Sequence, residues 1–135
     1  MRRGERRRLP KKRQGFTHEV NVGKIKLILR TGEYEDGTLG EIFVDTSTKQ
    51  EADVTIRGLM NSFAISVSLG LQYGVPLEKL VEQFTYARFV PSGPVVGDER
   101  IKLCTSLIDY VFRVLGLYYL KKEEYAHVPK AKVIE

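Results

Sequence analysis

The sequence predicts an α+β domain in which an antiparallel β-meander packs against about three α-helices. Three observations predict it. Apolar residues alternate with near period two before an Asp36-Gly37 turn, a second apolar run follows that turn, and three later segments carry apolar residues at helical spacing.

The first 14 residues have almost no apolar content and are expected to be mobile. Strands are predicted over Glu19 to Val22 and Lys24 to Arg30, separated by Gly23. In the second, Ile25, Leu27 and Leu29 alternate with Lys26, Ile28 and Arg30, as in a strand with one buried face. Gly37 accepts the positive φ that a tight hairpin needs, and the chain returns from Thr38 to Asp45 through Leu39, Ile42, Phe43 and Val44. Gly40 marks a bulge where the alternation slips. Ser47 to Ala52 reads as a polar loop, and Asp53 as the N-cap of a helix from Val54 to about Tyr73.

That helix carries Ile56, Leu59, Met60, Phe63, Ala64, Val67 and Leu71 at helical spacing, with Ile65 and Leu69 on a second side, and is expected to be central and buried. Gly58, Ser62, Ser66 and Gly70 recur every four residues, a packing signal for close approach of another helix or the sheet. Gly74 suits the C′ position, and Pro76 opens a second helix with Leu77, Leu80, Val81 and Phe84. After the breaks at Pro91-Ser92-Gly93-Pro94 and Gly97, Asp98 is expected to cap a final helix reaching about Leu120, with Ile101, Cys104, Ile108, Val111, Phe112, Leu115 and Tyr119 on its core face. The charged tail from Lys121 is expected to fray. The resulting division is a basic arm over 1–15, a domain over 16–120 and a tail over 121–135.

A chain of 135 residues suits one domain with its own core. The single cysteine, Cys104, excludes an intrachain disulfide and suits a reducing, cytoplasmic setting. No run is expected to reach the apolar length of a membrane span, and no membrane partner is expected. The net charge of +5 is unevenly distributed: residues 1–15 hold eight Arg or Lys against Glu5, while the remainder holds 14 basic and 16 acidic residues. A polyanion would meet the arm first.

The hairpin Thr31 to Asp45, the run Arg57 to Glu78, Arg88-Phe-Val-Pro-Ser-Gly-Pro-Val and Ile101-Lys-Leu-Cys-Thr-Ser-Leu-Ile-Asp-Tyr-Val-Phe-Arg together resemble the C-terminal domain of adenosylcobalamin-dependent (class II) ribonucleotide reductases, often called the TSCPD domain. The similar segments span residues 7–120 in the family's order. The pentapeptide Thr-Ser-Cys-Pro-Asp that names the domain does not occur. The resemblance implies a freestanding relative of that domain. In the resembled enzymes, reduction needs a radical-bearing cysteine, a redox-active pair, further thiols and a catalytic barrel, which one cysteine and 135 residues do not supply. The chain is therefore expected not to reduce ribonucleotides by itself, and no cofactor is expected.

Cys104 reads as a small buried hydrophobe on a helix. His18 and His127 lack partners at ligand spacing, and no phosphate-loop or nucleophile motif occurs. The strongest functional feature is the arm, whose Arg2, Arg3, Arg6, Arg7, Arg8, Lys11, Lys12 and Arg13 suit nucleic-acid phosphates. The competing reading is an inherited linker, since Arg8 to Thr17 resembles the segment that joins this domain to the reductase barrel. A second surface combines Arg30, Arg88, Ser92, Gly93, Arg100 and Lys102 as a phosphate site, and Tyr34, Tyr73 and Tyr86 are base-stacking candidates. The leading expectation is a noncatalytic nucleic-acid-binding protein. The alternatives are an accessory subunit that docks on a ribonucleoside-diphosphate reductase and a nucleotide-binding module; a homo-oligomer is among the expected partners.

Overall fold

The computed structural model of the chain describes residues 4–48 and 53–132. Five strands, β1 (Thr17–Val22), β2 (Ile25–Glu33), β3 (Leu39–Ser47), β4 (Gly93–Val96) and β5 (Leu103–Cys104), form one antiparallel sheet in the order β3-β2-β1-β4-β5. Three helices complete it: α1 (Asp53–Gln72), α2 (Leu77–Phe84) and α3 (Leu107–Tyr119). The capping expected of Asp53 lies outside the described side chains, as does most of the loop before it.

The hairpin forms where the sequence placed it. Gly37 sits at φ 85°, and the Thr38 amide donates to the Asp36 carboxylate. The ladder passes from Gly32 opposite Glu41 to Glu33 opposite Leu39, leaving Gly40 as the extra, bulged residue. Gly40 cannot carry a side chain there, because a Cβ would lie 2.6 Å from Leu9 and 2.7 Å from the Tyr34 ring.

β3 is a sheet edge, and α1 seals it. The Ser68 hydroxyl accepts from the Ile42 amide at 2.9 Å and donates to the Ile42 carbonyl at 3.0 Å. One turn on, Gln72 Nε2 donates to the Gly40 carbonyl at 3.0 Å. Two helical side chains at i and i+4 thus satisfy backbone groups that an open edge would expose. The helix ends as Gly74 predicts, with Gly74 N–H bonded to Leu71 O and Val75 N–H to Gly70 O, a Schellman closure with Gly74 at φ 99°.

Two expectations about α1 fail. It is only half covered: Met60, Ala64, Val67 and Leu71 are buried, whereas Val54, Leu59, Ile65 and Leu69 are exposed. Gly58, Ser62 and Ser66 of the small-residue series also face outward, and nothing lies within 4 Å of a Cβ at Gly58. In addition, the 19 residues Val54–Gln72 reach a mean hydropathy of 1.3, so α1 does have the length and apolarity of a membrane span. Its inner side is nevertheless bonded to β3.

The helix at the centre is instead α3, in which every residue from Leu107 to Leu117 except Ile108 is buried. Phe112 meets Phe84 of α2 and Phe63 of α1 at ring-centroid distances of 5.3 and 6.1 Å, and Phe63 meets Phe84 at 5.1 Å. α3 starts nine residues after Asp98, not at it. Its N-cap is Ser106, which accepts from the Asp109 amide, and the residues between Asp98 and Ser106 form a bend and β5, with β4 ending just before Asp98. Cys104 therefore lies on a strand. The apolar spacing of Ile101 and Cys104 imitated a helix because both positions face the same core.

Within the described residues, neither the arm nor the segment after α3 is a loose extension. Residues 4–14 lie along the body: Arg7 N–H bonds Gln72 O, Arg6 bonds the Gln72 side chain, and the Glu33 amide bonds Gln14 O. After α3, Tyr125 packs onto Gly116, where a Cβ would come within 2.6 Å of its ring, and the His127 and Val128 amides bond Arg100 O.

Ser68→Ala should leave the Ile42 amide and carbonyl without partners. We expect a loss of about 1–3 kcal/mol in urea unfolding; an unchanged midpoint would show that water replaces the hydroxyl and that the edge is not sealed by it.

Candidate functional site

Two hollows flank the loop that follows α2, and residues Phe89 and Val90 line both. The loop turns sharply. Tyr86 has φ 72°, its amide donating to Asp109 Oδ1 at 2.7 Å, and the Val90–Pro91 peptide is cis. Asp109 also accepts from the Thr105 amide and from Arg113 Nε at 2.9 Å, so a fully buried carboxylate is satisfied from three sides.

On one side of the loop is a cleft of about 600 Å³ lined by Arg88, Ser92, Gly93, Thr105, Arg113 and His127, with Cys104 at its wall. The Lys102 amide donates to His127 Nδ1 at 2.9 Å, which requires that nitrogen to be unprotonated and leaves Nε2 as the donor. Burial and the Arg113 charge lower the His127 pKa, consistent with a neutral ring. Burial, with Asp109 nearby, pushes the Cys104 thiol up to about 11 despite backbone hydrogen bonds from Ser106 and Gly93, so it is not an activated nucleophile. Val90 is 84% exposed and Leu103 53%, giving the cleft an apolar rim. On the other side is an apolar groove of about 530 Å³ between α1 and the start of α3, lined by Leu59, Met60, Phe63, Leu107 and Ile108.

The six residues of the expected phosphate surface do not converge. Arg88, Ser92 and Gly93 share the cleft. Arg100 is buried, and its guanidinium is held by Glu123 and the Val128 carbonyl. Lys102 Nζ is bonded to Asp98 O, and Arg30 lies on β2 near Phe43, Asp45 and Arg57. Sequence spacing could not show that Arg100 would be used by the tail. It also missed Arg113 and His127, which reach the cleft from α3 and from the segment expected to fray.

The arm is equally divided. Arg2 and Arg3 lie outside the described residues. Arg6 is bonded to Gln72, Arg13 to Glu41 and Pro10 O, and Arg7 lies 3.8 Å above the Tyr34 ring centroid and 3.5 Å from Asp36. Arg8, Lys11 and Lys12 are exposed and have no partner among the described residues. Tyr34 is buried with its hydroxyl donating to Arg7 O, so it offers no stacking face; Tyr73 and Tyr86 are exposed.

Behind the cleft, Asp98 organises the β4–β5 connection. Its carboxylate accepts from the Arg100 and Ile101 amides and from Tyr110 at 2.8 Å, with His18 Nδ1 at 3.7 Å. Burial opposes its ionisation, but the adjacent His18 side chain and the hydrogen bonds from Ile101, Arg100 and Tyr110 outweigh that and bring its pKa to about 2.

Fold and site together define a small α+β module built around a buried helix whose N-terminus is fixed by Thr105, Ser106 and Asp109. The chain belongs to the TSCPD domain family, whose model matches residues 3–119. It is 52% identical over 124 residues to the vitamin B12-dependent ribonucleotide reductase of Bradyrhizobium diazoefficiens and, over the same length, to that of Agrobacterium fabrum; each match covers 92% of this chain and 10% of the relative. The reductase of that name from Rhodopirellula baltica is 37% identical over 121 residues, which are 90% of this chain and 11% of that protein. The chain thus spans about a tenth of the length of these curated relatives. No solved structure matches it. Among the described residues no three His, Cys, Asp or Glu side chains gather as a metal site.

The pentapeptide that names the family is present in part. Residues 105–109 read Thr-Ser-Leu-Ile-Asp, with Thr, Ser and Asp in the first, second and fifth places. Those three perform the capping: Thr105 N–H to Asp109, Thr105 Oγ1 to Ala87 O, and Ser106 Oγ to Asp109 N–H. The third and fourth places, Leu107 and Ile108, only pack.

Because Asp98 is lowered from 3.8 to about 2 on folding, its contribution is complete above pH 3.8 and is lost as pH falls toward 2. Asp98→Asn should lower stability at neutral pH by about 2 kcal/mol and remove that acid dependence. Urea unfolding at pH 2 to 7 checks this; parallel wild-type and variant curves would contradict the role given to Asp98.

Proposed function

We propose that this chain is an accessory module of a vitamin B12-dependent ribonucleotide reductase, acting by docking on the catalytic polypeptide and not by carrying out the chemistry. The observation that carries the reading is the apolar rim of Phe89, Val90 and Leu103, exposed beside a cleft whose cations are Arg88 and the partly neutralised Arg113. Apolar side chains held on a sharply turned, hydrogen-bonded loop suit the centre of a protein interface, with the neighbouring arginines at its border. The relatives support the choice of partner, because about nine-tenths of their length lies outside the matched region. A thiol as deeply buried as Cys104 supports the noncatalytic role.

A reductase polypeptide from which the matching domain has been deleted should bind the chain, and its nucleotide-reduction rate should change on addition. Val90→Asp and Leu103→Asp, both at exposed positions, should each weaken binding in calorimetry by roughly tenfold or more without lowering the unfolding midpoint. Full binding by both variants would discard this surface.

Nucleic-acid contact is the second reading, favoured by the exposed and unpaired Arg8, Lys11 and Lys12. These would add phosphate affinity without sequence preference. Deleting residues 1–14 is a poor test, since it also removes bonds to Gln72 and Glu33. Joint replacement of Arg8, Lys11 and Lys12 by Ala should instead abolish salt-dependent DNA or RNA retention, and unchanged retention would end the reading.

A further inference from the structure

Among the described residues no other element covers the outward side of α1, although Leu59, Ser62 and Ser66 border the groove that Phe89 and Val90 also line. We propose that it pairs with the same side of a second copy, the two α1 helices lying antiparallel across a two-fold axis. Opposite the buried Met60, Ala64, Val67 and Leu71, the helix exposes Leu59 at 67%, Ile65 at 54% and Leu69 at 40%. Arg57 is the one charged residue between Val54 and Gln72, and it is engaged by Asp45 at 2.8 Å. An uncharged, apolar helix face of this length is uncommon on a monomer surface.

Its sequence identifies the occupant. Six residues of that side are arranged symmetrically about Ala64: Gly58 and the half-buried Gly70 lie six positions away on either side, Leu59 and Leu69 five, and Ser62 and Ser66 two, while the exposed Asn61 and Ile65 stand outside the symmetry. Antiparallel alignment of two copies about that point sets Leu59 against Leu69, Ser62 against Ser66 and Gly58 against Gly70. The surface is then complementary to itself, as an isologous two-fold contact requires. A different protein would impose no such symmetry. Glycine and serine between the leucines let the helices approach closely, while the leucines supply the apolar area. Leu59 borders the groove that Phe89 and Val90 also line, so the two readings are separated by Leu69→Lys, outside that groove, and by Leu103→Asp, on the far side of the loop.

The test is the mass of the full chain in solution, by sedimentation equilibrium over a wide concentration range. Wild type should be dimeric. Leu59→Glu and Leu69→Lys, at exposed positions, should each weaken the dimer by roughly tenfold or more with circular dichroism unchanged. Mixing these two variants should restore dimers, because the alignment brings the new carboxylate to the new ammonium. Mixing Leu59→Glu with Leu59→Lys should not. A monomeric wild type, a dimer indifferent to both substitutions, or rescue by the Leu59 pair would overturn the proposal. Co-sedimentation of the wild type with neutral phosphatidylcholine vesicles, lost in Leu59→Glu, would also overturn it by giving the face to a bilayer.

Discussion

The constraint on which most of this structure depends is the outer edge of β3. A strand at the end of a sheet presents amide and carbonyl groups that must find partners or remain in water. Here the Ile42 amide and carbonyl are closed by one hydroxyl, that of Ser68, and the Gly40 carbonyl by Gln72. Fixing these two side chains fixes the rotation of α1 about its axis. Its buried side is then Met60, Ala64, Val67 and Leu71, and its free side is the uncharged one. Gln72 extends the same junction to the arm, accepting from Arg6 with its side chain and from Arg7 with its carbonyl. The arm, the edge strand and the helix are one bonded unit.

A second unit is organised by two buried carboxylates. Asp109 joins the loop after α2 to the start of α3, and Asp98 joins the β4–β5 connection to Tyr110 on the same helix. Each is surrounded by donors, which is the condition for keeping a charge away from water. The cleft and the groove lie on either side of the loop that Asp109 holds. The residues that shape the candidate site are therefore structural carboxylates, and those that face solvent in it are the apolar Phe89, Val90 and Leu103, the cation Arg88 and the neutral Ser92 and His127.

Local chemistry made the first half of the fold legible. Asp36-Gly37, the bulge at Gly40 and the Gly74 closure each depend on neighbouring residues, and the sequence states them directly. β4 and β5 were hidden because they are four and two residues long and contain Gly93 and Pro94, which read as loop breakers. The helix start was misplaced because Asp98 and Ser106 are both good capping residues; Asp109, three places after Ser106, was the signal that distinguished them. The site was less legible. Arg88, Ser92 and Gly93 are close in sequence and stay together, but Arg113 and His127 arrive through tertiary packing. Arg100 is withdrawn by Glu123, a contact that no spacing rule foretells. The arm's charge was read correctly as a count, but which cations are free depends on Gln72, Asp36 and Glu41.

What distinguishes this chain as a module is the contrast between its sealed sheet edge and its uncovered helix face, both set by how α1 sits. The most direct measurement is hydrogen exchange of the Ile42 amide in the native protein. If the Ser68 hydroxyl closes the edge, this amide exchanges only with global unfolding, at the rate of the central β2 amides. Exchange as fast as that of an open strand edge would contradict the placement of α1 and, with it, the orientation of its free face.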